Sequence, residues 1–451
     1  MSFSPSAVLV NLERDLPASA SGKLCIALSG GLDSTVLLHA LVAAQSRYSL
    51  RAIHIDHQLH ADSGKWSDHC ARIAQAAGVD YVSEQVTVPM DSDTGLEAAA
   101  RTVRYAALKR LLEPGETLLT AQHADDQLET VLLALMRGAG VNGLSAMPVC
   151  QAFGAGWHVR PLLNFTRAQL EEWASAERLA WLSDPSNDNS RFSRNYLRHE
   201  VIPSLRRRWP DAANSVRRSA AHLGEAGRLL ATLAVADLAD AATGPCLRVE
   251  ALAALDPARR RNLLRYWLRT LGARAPSTQK LAALEHDMLS AQEDRSPCVD
   301  WDGFEVRRHR GLLYGNVPLP AFDATPIALE WNLRTPLTLP QGLGVLRAEN
   351  TRGAGLSIEK LPLPVRVSFR RGGEILRPAG HAHHRELKKL LQEADILPWW
   401  RDRVPLLQVG RKLAAVGDLW IAEQFAARAD EPGWGIVWEG RPQLEAVTSD
   451  E

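Results

Sequence analysis

The sequence predicts an α/β fold class in three parts: an N-terminal parallel sheet with helices on both faces, a mostly helical domain, and a small mixed α/β C-terminal domain. Three observations carry this. The chain has 451 residues, more than one ordinary hydrophobic core serves, so two or three domains are expected. Its first 150 residues alternate short apolar runs with helix-length segments, the pattern of parallel strands joined by crossover helices. Beyond about residue 166 that alternation gives way to arginine-rich helical stretches and then to proline-rich, strand-like ones.

Taken in order, KLCIALS (23–29) is an apolar run that closes on a glycine turn, and STVLLHALVAAQ (34–45) has helical length and composition. LRAIHID (50–56) reads as a second strand, KWSDHCARIAQAAG (65–78) as an amphipathic helix with a glycine stop, and DYVSEQVTV (80–88) as an alternating third strand. GLEAAARTVRYAALKRLLE (95–113) is rich in strong helix formers, TLLTAQ (117–122) is a fourth, buried strand, and DDQLETVLLALMRG (125–138) a further helix. From about 166 to 290 the chain is mostly helical, as in TRAQLEEWASAERL, RFSRNYLRHEVIPSLRRRW and ARRRNLLRYWLRTLG. Short strand-like runs such as FEVRRHRGLLYGNV fill 297–340; ENTRGAGLSIEKLPLP (349–364) reads as a linker, and VRVSFRRGGEI opens the last module. The expected domains are 1–215, 216–348 and 349–451.

Composition narrows the function classes. Hydrophobic content of 46% with 23% charged residues excludes a largely disordered or fibrous chain. No apolar stretch is long enough to span a membrane, and MSFSPSAVLVNLERDLP lacks the basic start and apolar run of a signal peptide. The cysteines (Cys25, Cys70, Cys150, Cys246, Cys298) are scattered and never form a CxxC pair, so neither a disulfide framework nor a zinc or iron–sulfur site is expected. A cytoplasmic protein with no membrane partner is the expectation. The 52 basic and 52 acidic side chains cancel, which excludes a uniformly basic surface but not a segregated one.

The sharpest local signal is LCIALSGGLDSTVLLHAL. A strand ends at Ser29, Gly30 and Gly31 form a tight turn, and a helix begins near Asp33 or Ser34. Two glycines let backbone approach a ligand, and the first helical amides are free donors at the positive end of the dipole, so an anion fits there. Asp33 is placed to hold a magnesium ion beside phosphates. The whole string SGGLDS resembles the pyrophosphate loop of the N-type ATP pyrophosphatases, the PP-loop ATPases of adenine nucleotide alpha hydrolase-like fold. No GK[ST] follows, so it differs from a Walker loop. The resemblance implies cleavage of ATP between its α- and β-phosphates and binding by Ser29, Gly30, Gly31, Leu32, Asp33 and Ser34. It also places adenosine beside the second strand end, HIDHQLH, which makes Asp56 and His57 nucleotide neighbours; His54, His57 and His60 have no usual metal-ligand spacing.

A second cluster, LLTAQHADDQLET, gathers His123, Asp125, Asp126 and Glu129 at a strand-to-helix junction. Acidic residues suit a helix N-terminus, but Asp126 and Glu129, three apart, also share a helix face at the strand ends where ligands collect. Arg101 and Arg104 lie one turn apart on the preceding helix.

These strings, with RPLL, WLSDPSN, RNYLRHEVIP and RELKKLLQEADILPWWRDRVPLL, occur in the order and spacing of the tRNA(Ile)-lysidine synthetase family in its longer, three-domain form, so that the sequence resembles that family over nearly its whole length. The resemblance implies ATP- and Mg2+-dependent ligation of free L-lysine to C2 of the wobble cytidine in tRNA(Ile) with a CAU anticodon, through an adenylated tRNA. It implies catalytic roles for Asp33, Asp126, Glu129 and Arg194, lysine or substrate contacts for Arg101, Arg104, Asp126 and Glu129, and magnesium on Asp33. A homodimer is the one self-assembly the reading allows for. Gln122–His123 departs from the His pair of many relatives.

Charge by segment indicates where RNA would bind. Residues 1–190 carry 14 basic and 21 acidic side chains, 191–275 carry 16 and 7, and 276–451 carry 22 and 24. The middle block holds Arg191, Arg198, Arg206, Arg207, Arg208, Arg259, Arg260 and Arg261; a second, residues 369–412 with 10 basic and 5 acidic side chains, holds Arg385, Lys388 and Lys389 near Trp399 and Trp400. These are the expected tRNA contacts. Two rivals are a 2-thiocytidine-type enzyme, which needs sulfur-handling cysteines, and a non-catalytic tRNA-binding scaffold, which has no use for SGGLDS.

Overall fold

The computed structural model describes residues 2–44, 48–59, 63–89, 96–183, 193–291, 296–323 and 328–442. Of the expected site residues, Arg191 lies outside them. The chain divides into two compact units, Met1–Leu230 and Ala231–Glu451.

The first unit opens with helix α1 (Pro5–Asp15), whose Ser4 cap accepts from Ala7 N at 3.2 Å. The chain then alternates: β1 (Lys23–Ala27), α2 (Leu32–Ala43), β2 (Ser49–Asp56), α3 (Ser63–Ala76), β3 (Asp80–Gln85), α4 (Leu96–Leu111), β4 (Thr117–Leu119) and α5 (Ala124–Met136). After α6 (Val141–Leu144), the hairpin β5 (Cys150–Phe153) and β6 (Gly156–Val159) completes the sheet, and α7 (Arg167–Ala176) follows. Strand order is β3-β2-β1-β4-β6-β5, every pairing parallel except β5 with β6. The hairpin escapes a reading by hydrophobic period because each of its strands is only four residues long.

Central β1 is apolar on both faces because both are covered. Leu24 and Ile26 pack with Val8, Leu12, Val36 and Leu37 from α1 and α2, whereas Cys25 packs with Ile53, Leu118 and Leu108 of α4. Such a strand reads as a continuous apolar run rather than an alternating one. The chain turns to one side of β1 for β2 and β3 and to the other for β4, which opens a crevice at the carboxyl ends of β1 and β4. A helical segment returns to that end: α8 (Ser193–Tyr196), a π-helical turn (Leu197–Val201) and α9 (Ile202–Arg208). Helix α10 (Ala212–Ala241) begins in the first unit and ends in the second.

In the second unit, helices Val249–Ala254, Pro257–Thr270 and Thr278–Ser290 pack on a five-stranded antiparallel sheet built from 242–248 and 298–316. Its C-terminal part holds a five-stranded and a four-stranded antiparallel sheet around one core, with helix Leu387–Glu393. The linker expected over 349–364 is corrected here. Residues 349–352 finish strand Val345–Arg352, which pairs along its length with Pro432–Glu439, and Leu356–Ser357 pairs with the same partner. Gly353 and Gly355, at φ +72 and +81, make the tight turn between strands; a glycine-rich turn and a glycine-rich linker look alike in sequence.

Candidate active site

Leu28 extends β1 by donating to Ile53 O at 2.8 Å, and the chain then turns through Ser29, Gly30 and Gly31 into α2. Gly30 has φ +80, and a Cβ there would sit 3.0 Å from Cys70 Sγ, so both conformation and space demand glycine. Gly31 caps α2 without a side-chain bond, which leaves the first amides of the helix as the positive end of its dipole. Ser29 and Ser34 bring their Oγ atoms to 3.0 Å, and Ser34 Oγ donates to Gly31 O at 3.1 Å. The turn is thus a preformed cradle for an anion.

Across the crevice, β4 leads into α5. The His123 backbone N–H donates to Asp126 Oδ2 at 3.0 Å, which fixes the first turn of the helix. The His123 ring is buried, with Nε2 3.6 Å from Asp33 Oδ1 and 3.5 Å from Asp126 Oδ2, and Nδ1 3.6 Å from Asp125 Oδ2. Burial pushes its pKa down, but Asp126, Asp33 and Glu129 together outweigh that and raise it. For Asp33, burial pushes up while His123, Arg167 and Arg198 prevail and hold the carboxyl below its ordinary range. Glu129, 1% exposed, receives the Arg198 fork, Nε to Oε1 at 2.7 Å and Nη2 to Oε2 at 3.0 Å, with Arg194 Nε at 3.3 Å. Burial nonetheless raises the Glu129 pKa against the pull of Arg198. Arg198 also reaches Asp126 Oδ1 at 3.5 Å, and Arg194 donates to Thr130 Oγ1 at 3.0 Å.

The cleft between these elements encloses about 460 Å³. Ser29, Gly31, Leu32, Asp33 and Ser34 line one side, and Asp126, Arg194 and Arg198 another. Arg101 and Arg104 line it too, their guanidinium carbons 4.9 and 5.7 Å from the Tyr105 ring centre. His57 lines it as well and is held neutral: burial, then Arg104 and His54, push its pKa down to about 4. Gly30, Asp56 and Glu129 stand behind the lining. Asp56 is buried and accepts from Gln58 N at 2.9 Å and Gln85 Nε2 at 3.4 Å, so it shapes the end of β2.

The sequence by itself gives no role to His123, Arg167, Thr120 or the stretch Trp181–Ser183, yet all lie in or against the cleft. Leu182 N donates to Gly30 O at 2.9 Å and ties that stretch to the loop. The signal for His123, Thr120 and Trp181–Ser183 is their place in TAQHADDQ and WLSDPSN; Arg167 lies in neither motif. Among the described residues, no group of three or more His, Cys, Asp and Glu side chains is arranged to hold a metal ion by itself. A magnesium ion bound through phosphate oxygens needs only one or two carboxylates. Asp33 Oδ1, buried and without a hydrogen-bond partner among the described residues, has the free lone pairs for that.

The remaining basic residues have varied surroundings. Arg206 forms an ion pair with Asp125, whereas Arg207 and Arg208 are exposed, the latter 6.0 Å from the Trp209 ring. Arg259 pairs with buried Asp237, Arg260 donates to the carbonyls of Leu252, Ala253 and Leu255, and Arg261 meets Glu285 at 3.4 Å. Arg385 pairs with Glu393, Lys388 is exposed, and exposed Lys389 lies 3.8 Å from Glu386. Trp399 is half-buried, packing against Tyr314 and His309 under the Arg307 guanidinium.

Comparison with known proteins gives a consistent picture. Residues 7–205 match the PP-loop domain, 247–314 the TilS substrate binding domain and 365–438 the TilS substrate C-terminal domain. The chain is 43% identical to the tRNA(Ile)-lysidine synthase of Coxiella burnetii, over 93% of each chain. It is 44% identical to that of Alkalilimnicola ehrlichii, over 93% of this chain and 94% of the other. The corresponding protein of Methylococcus capsulatus is 41% identical, over 92% and 95%.

Proposed function

The chain belongs to the tRNA(Ile)-lysidine synthase family, and on that premise we propose that it is an ATP-dependent ligase joining free L-lysine to C2 of the wobble cytidine in tRNA(Ile) with a CAU anticodon. The observation that carries this reading is that one cleft is lined by Ser29, Gly31, Asp33 and Ser34 of the anion cradle, by Asp126 and by five arginines.

In the first step the cytidine C2 oxygen attacks the α-phosphorus of ATP, the bond to the bridging oxygen breaks, and pyrophosphate leaves. The loop amides and Ser29 and Ser34 hydroxyls hold the departing phosphates, and Arg101 and Arg104, also in the lining, supply positive charge. Magnesium, when bound, would offset phosphate charge, with Asp33 as its protein ligand. In the second step the lysine ε-nitrogen attacks C2, the C2–O bond breaks, and AMP leaves. An ε-amine is mostly protonated near neutral pH and must lose a proton first. Asp126, at the cleft wall, meets the ammonium and takes that proton. Glu129 works from behind, fixing Arg194 and Arg198 where charge develops on the adenylate.

A thiolating relative needs a reactive cysteine. Among the described residues no cysteine lines the cleft, and burial pushes the nearby Cys70 thiol up to about 12, which keeps it protonated. The test is incubation with ATP, magnesium, labelled lysine and a tRNA(Ile) transcript bearing CAU, read by nucleoside mass spectrometry. Lysidine is expected; a sulfur adduct, or Asp33→Ala working like wild type, would overturn the reading.

A further inference from the structure

Behind the cleft lies a polar chain that the mechanism above does not use. Arg160, just past β6, is 3% exposed and has no carboxylate partner among the described residues; Nη1 donates to Pro148 O at 2.6 Å. Its Nη2 lies 3.2 Å from Nδ1 of His158, which is 0% exposed. The other ring nitrogen, Nε2, is 2.7 Å from Thr120 Oγ1, and the threonine hydroxyl bonds to Oε1 of Gln122. Thr120 and Gln122 line the cleft at the end of β4.

The direction of the Arg160–His158 and His158–Thr120 bonds follows from the first member of the chain. A guanidinium can donate but never accept. His158 Nδ1 must therefore accept, as it must from Gln151 Nε2 at 3.4 Å. The ring proton then sits on Nε2 and is donated to Thr120. The threonine has one proton of its own, and in the structure it is donated to Gln122 Oε1. Burial, with Arg160 and Arg101 beside it, pushes the His158 pKa down to about 3, so the ring stays neutral and this tautomer persists through the physiological range. The carbonyl end of Gln122 is thereby engaged, and its NH2 end is what remains for the cleft.

We infer that Gln122 is a specificity-determining residue, an amide locked as a hydrogen-bond donor that reads N3 of the target cytosine and refuses uracil, with Thr120, His158 and Arg160 as the positioning residues that stop it from flipping. Cytosine N3 is an acceptor, whereas uracil carries a hydrogen there. A free glutamine would rotate its amide and accept that hydrogen; a locked one opposes donor to donor. Strand β4 flanks β1 on the side away from β2, and its end places Gln122 in the same cleft as the phosphate loop, where the proposed reaction brings the base to be modified. The inference rests on the proposed function for the identity of that base.

The experiment uses the full-length protein and two tRNA(Ile) transcripts that differ only in C or U at the wobble position. The readout is kcat/KM for tRNA-dependent ATP–pyrophosphate exchange, with KM for ATP and Tm measured alongside. Thr120→Val keeps the shape but removes the relay hydroxyl, and Gln122→Ala removes the reader at the cleft surface. Each is expected to cut the C-over-U preference by about tenfold or more, the scale of one base-reading contact. Thr120→Ser, which restores the hydroxyl, is expected to keep the wild-type ratio, and KM for ATP should stay within about twofold in all three. An unchanged C/U ratio in Thr120→Val and Gln122→Ala, or a change confined to KM for ATP, would overturn the inference. Were Thr120→Val not to fold, Gln122→Ala alone decides. Failure of the wild-type protein to make lysidine on the wobble-C transcript would count against the proposed function instead, and the two failures are read on different assays.

Discussion

The molecule treats arginine in two ways. In the N-terminal cleft, Arg194 and Arg198 come from a segment about seventy residues away in sequence to meet Asp126 and Glu129, and the four charges with His123 and Asp33 form one network. In the second unit, Arg259, Arg260 and Arg261 are each satisfied within their own fold, by one carboxylate or by backbone carbonyls. A count of basic residues by segment cannot separate these uses. What separates them is coupling: a charge that shares several charged partners is poised for chemistry, and one satisfied by a single carboxylate or by nearby carbonyls holds the fold. Breaking each kind should give a different signature.

The largest effect is expected from Glu129→Ala. It leaves Arg198 and Arg194 without their common acceptor beside a buried site, and losing one partner of such a pair costs about 3 kcal/mol. Urea unfolding should show that loss, and lysidine formation should fall on the order of a hundredfold or more because both arginines lose their aim. In a double-mutant cycle with Arg198→Ala the two changes should be strongly non-additive. Additive behaviour would mean that the network is a set of independent pairs, like those of the second unit.

Arg260→Met is the matching change in the second unit. It removes donors to three carbonyls at the end of helix Val249–Ala254 and should cost about 2 kcal/mol. The salt dependence of tRNA binding should not move, since that guanidinium is already spoken for. A shallower salt slope would place Arg260 on phosphate and dissolve the contrast.

These two cases also mark what the sequence could and could not disclose. SGGLDS is legible because its chemistry is local: Gly30, Ser34 and the helix start all lie within six residues. The parallel strands are legible because burial on both faces leaves apolar runs. The Glu129–Arg198 fork spans 69 positions and the Thr120–His158 bond 38, and no local pattern announces either one. Arg198 could be read only as one of many basic residues, and His158 lies in a hairpin whose strands are too short to read. The strand Val345–Arg352 was hidden by the glycines that follow it, because turn chemistry does not say whether the next segment comes back to pair.

Next in size is a pH effect confined to the cleft. The folded pKa of His123 is raised, so its protonated form adds stability that is fully present below the unfolded value of 6.5 and is lost as pH rises through the folded value. Asp33 runs the other way: its depressed carboxyl adds stability above 3.8, lost as pH falls through the folded value. The stability gap between wild type and His123→Gln should therefore shrink as pH climbs above 6.5, with a slope of at most about 1.4 kcal/mol per pH unit. The Arg260→Met gap should be flat over the same window. Parallel curves for the two variants would mean that His123 is not charged by its carboxylates.

The smallest effect on stability, and the most selective one, belongs to Arg208. It is exposed at the end of α9, beside exposed Trp209, and a surface change of this kind should alter stability by no more than about 0.5 kcal/mol. It is also a side chain from the basic block with no ion pair among the described residues, so it can reach an RNA phosphate without first giving one up. Arg208→Ala should weaken tRNA binding most at low salt and reduce the slope of log Kd against log salt by about one, while ATP–pyrophosphate exchange at saturating tRNA stays unchanged. Filter binding across a salt series resolves that difference. If Arg259→Ala gave the same drop in slope, its pairing with Asp237 would have to open on tRNA binding, and the basic block would be a latent surface rather than a structural one.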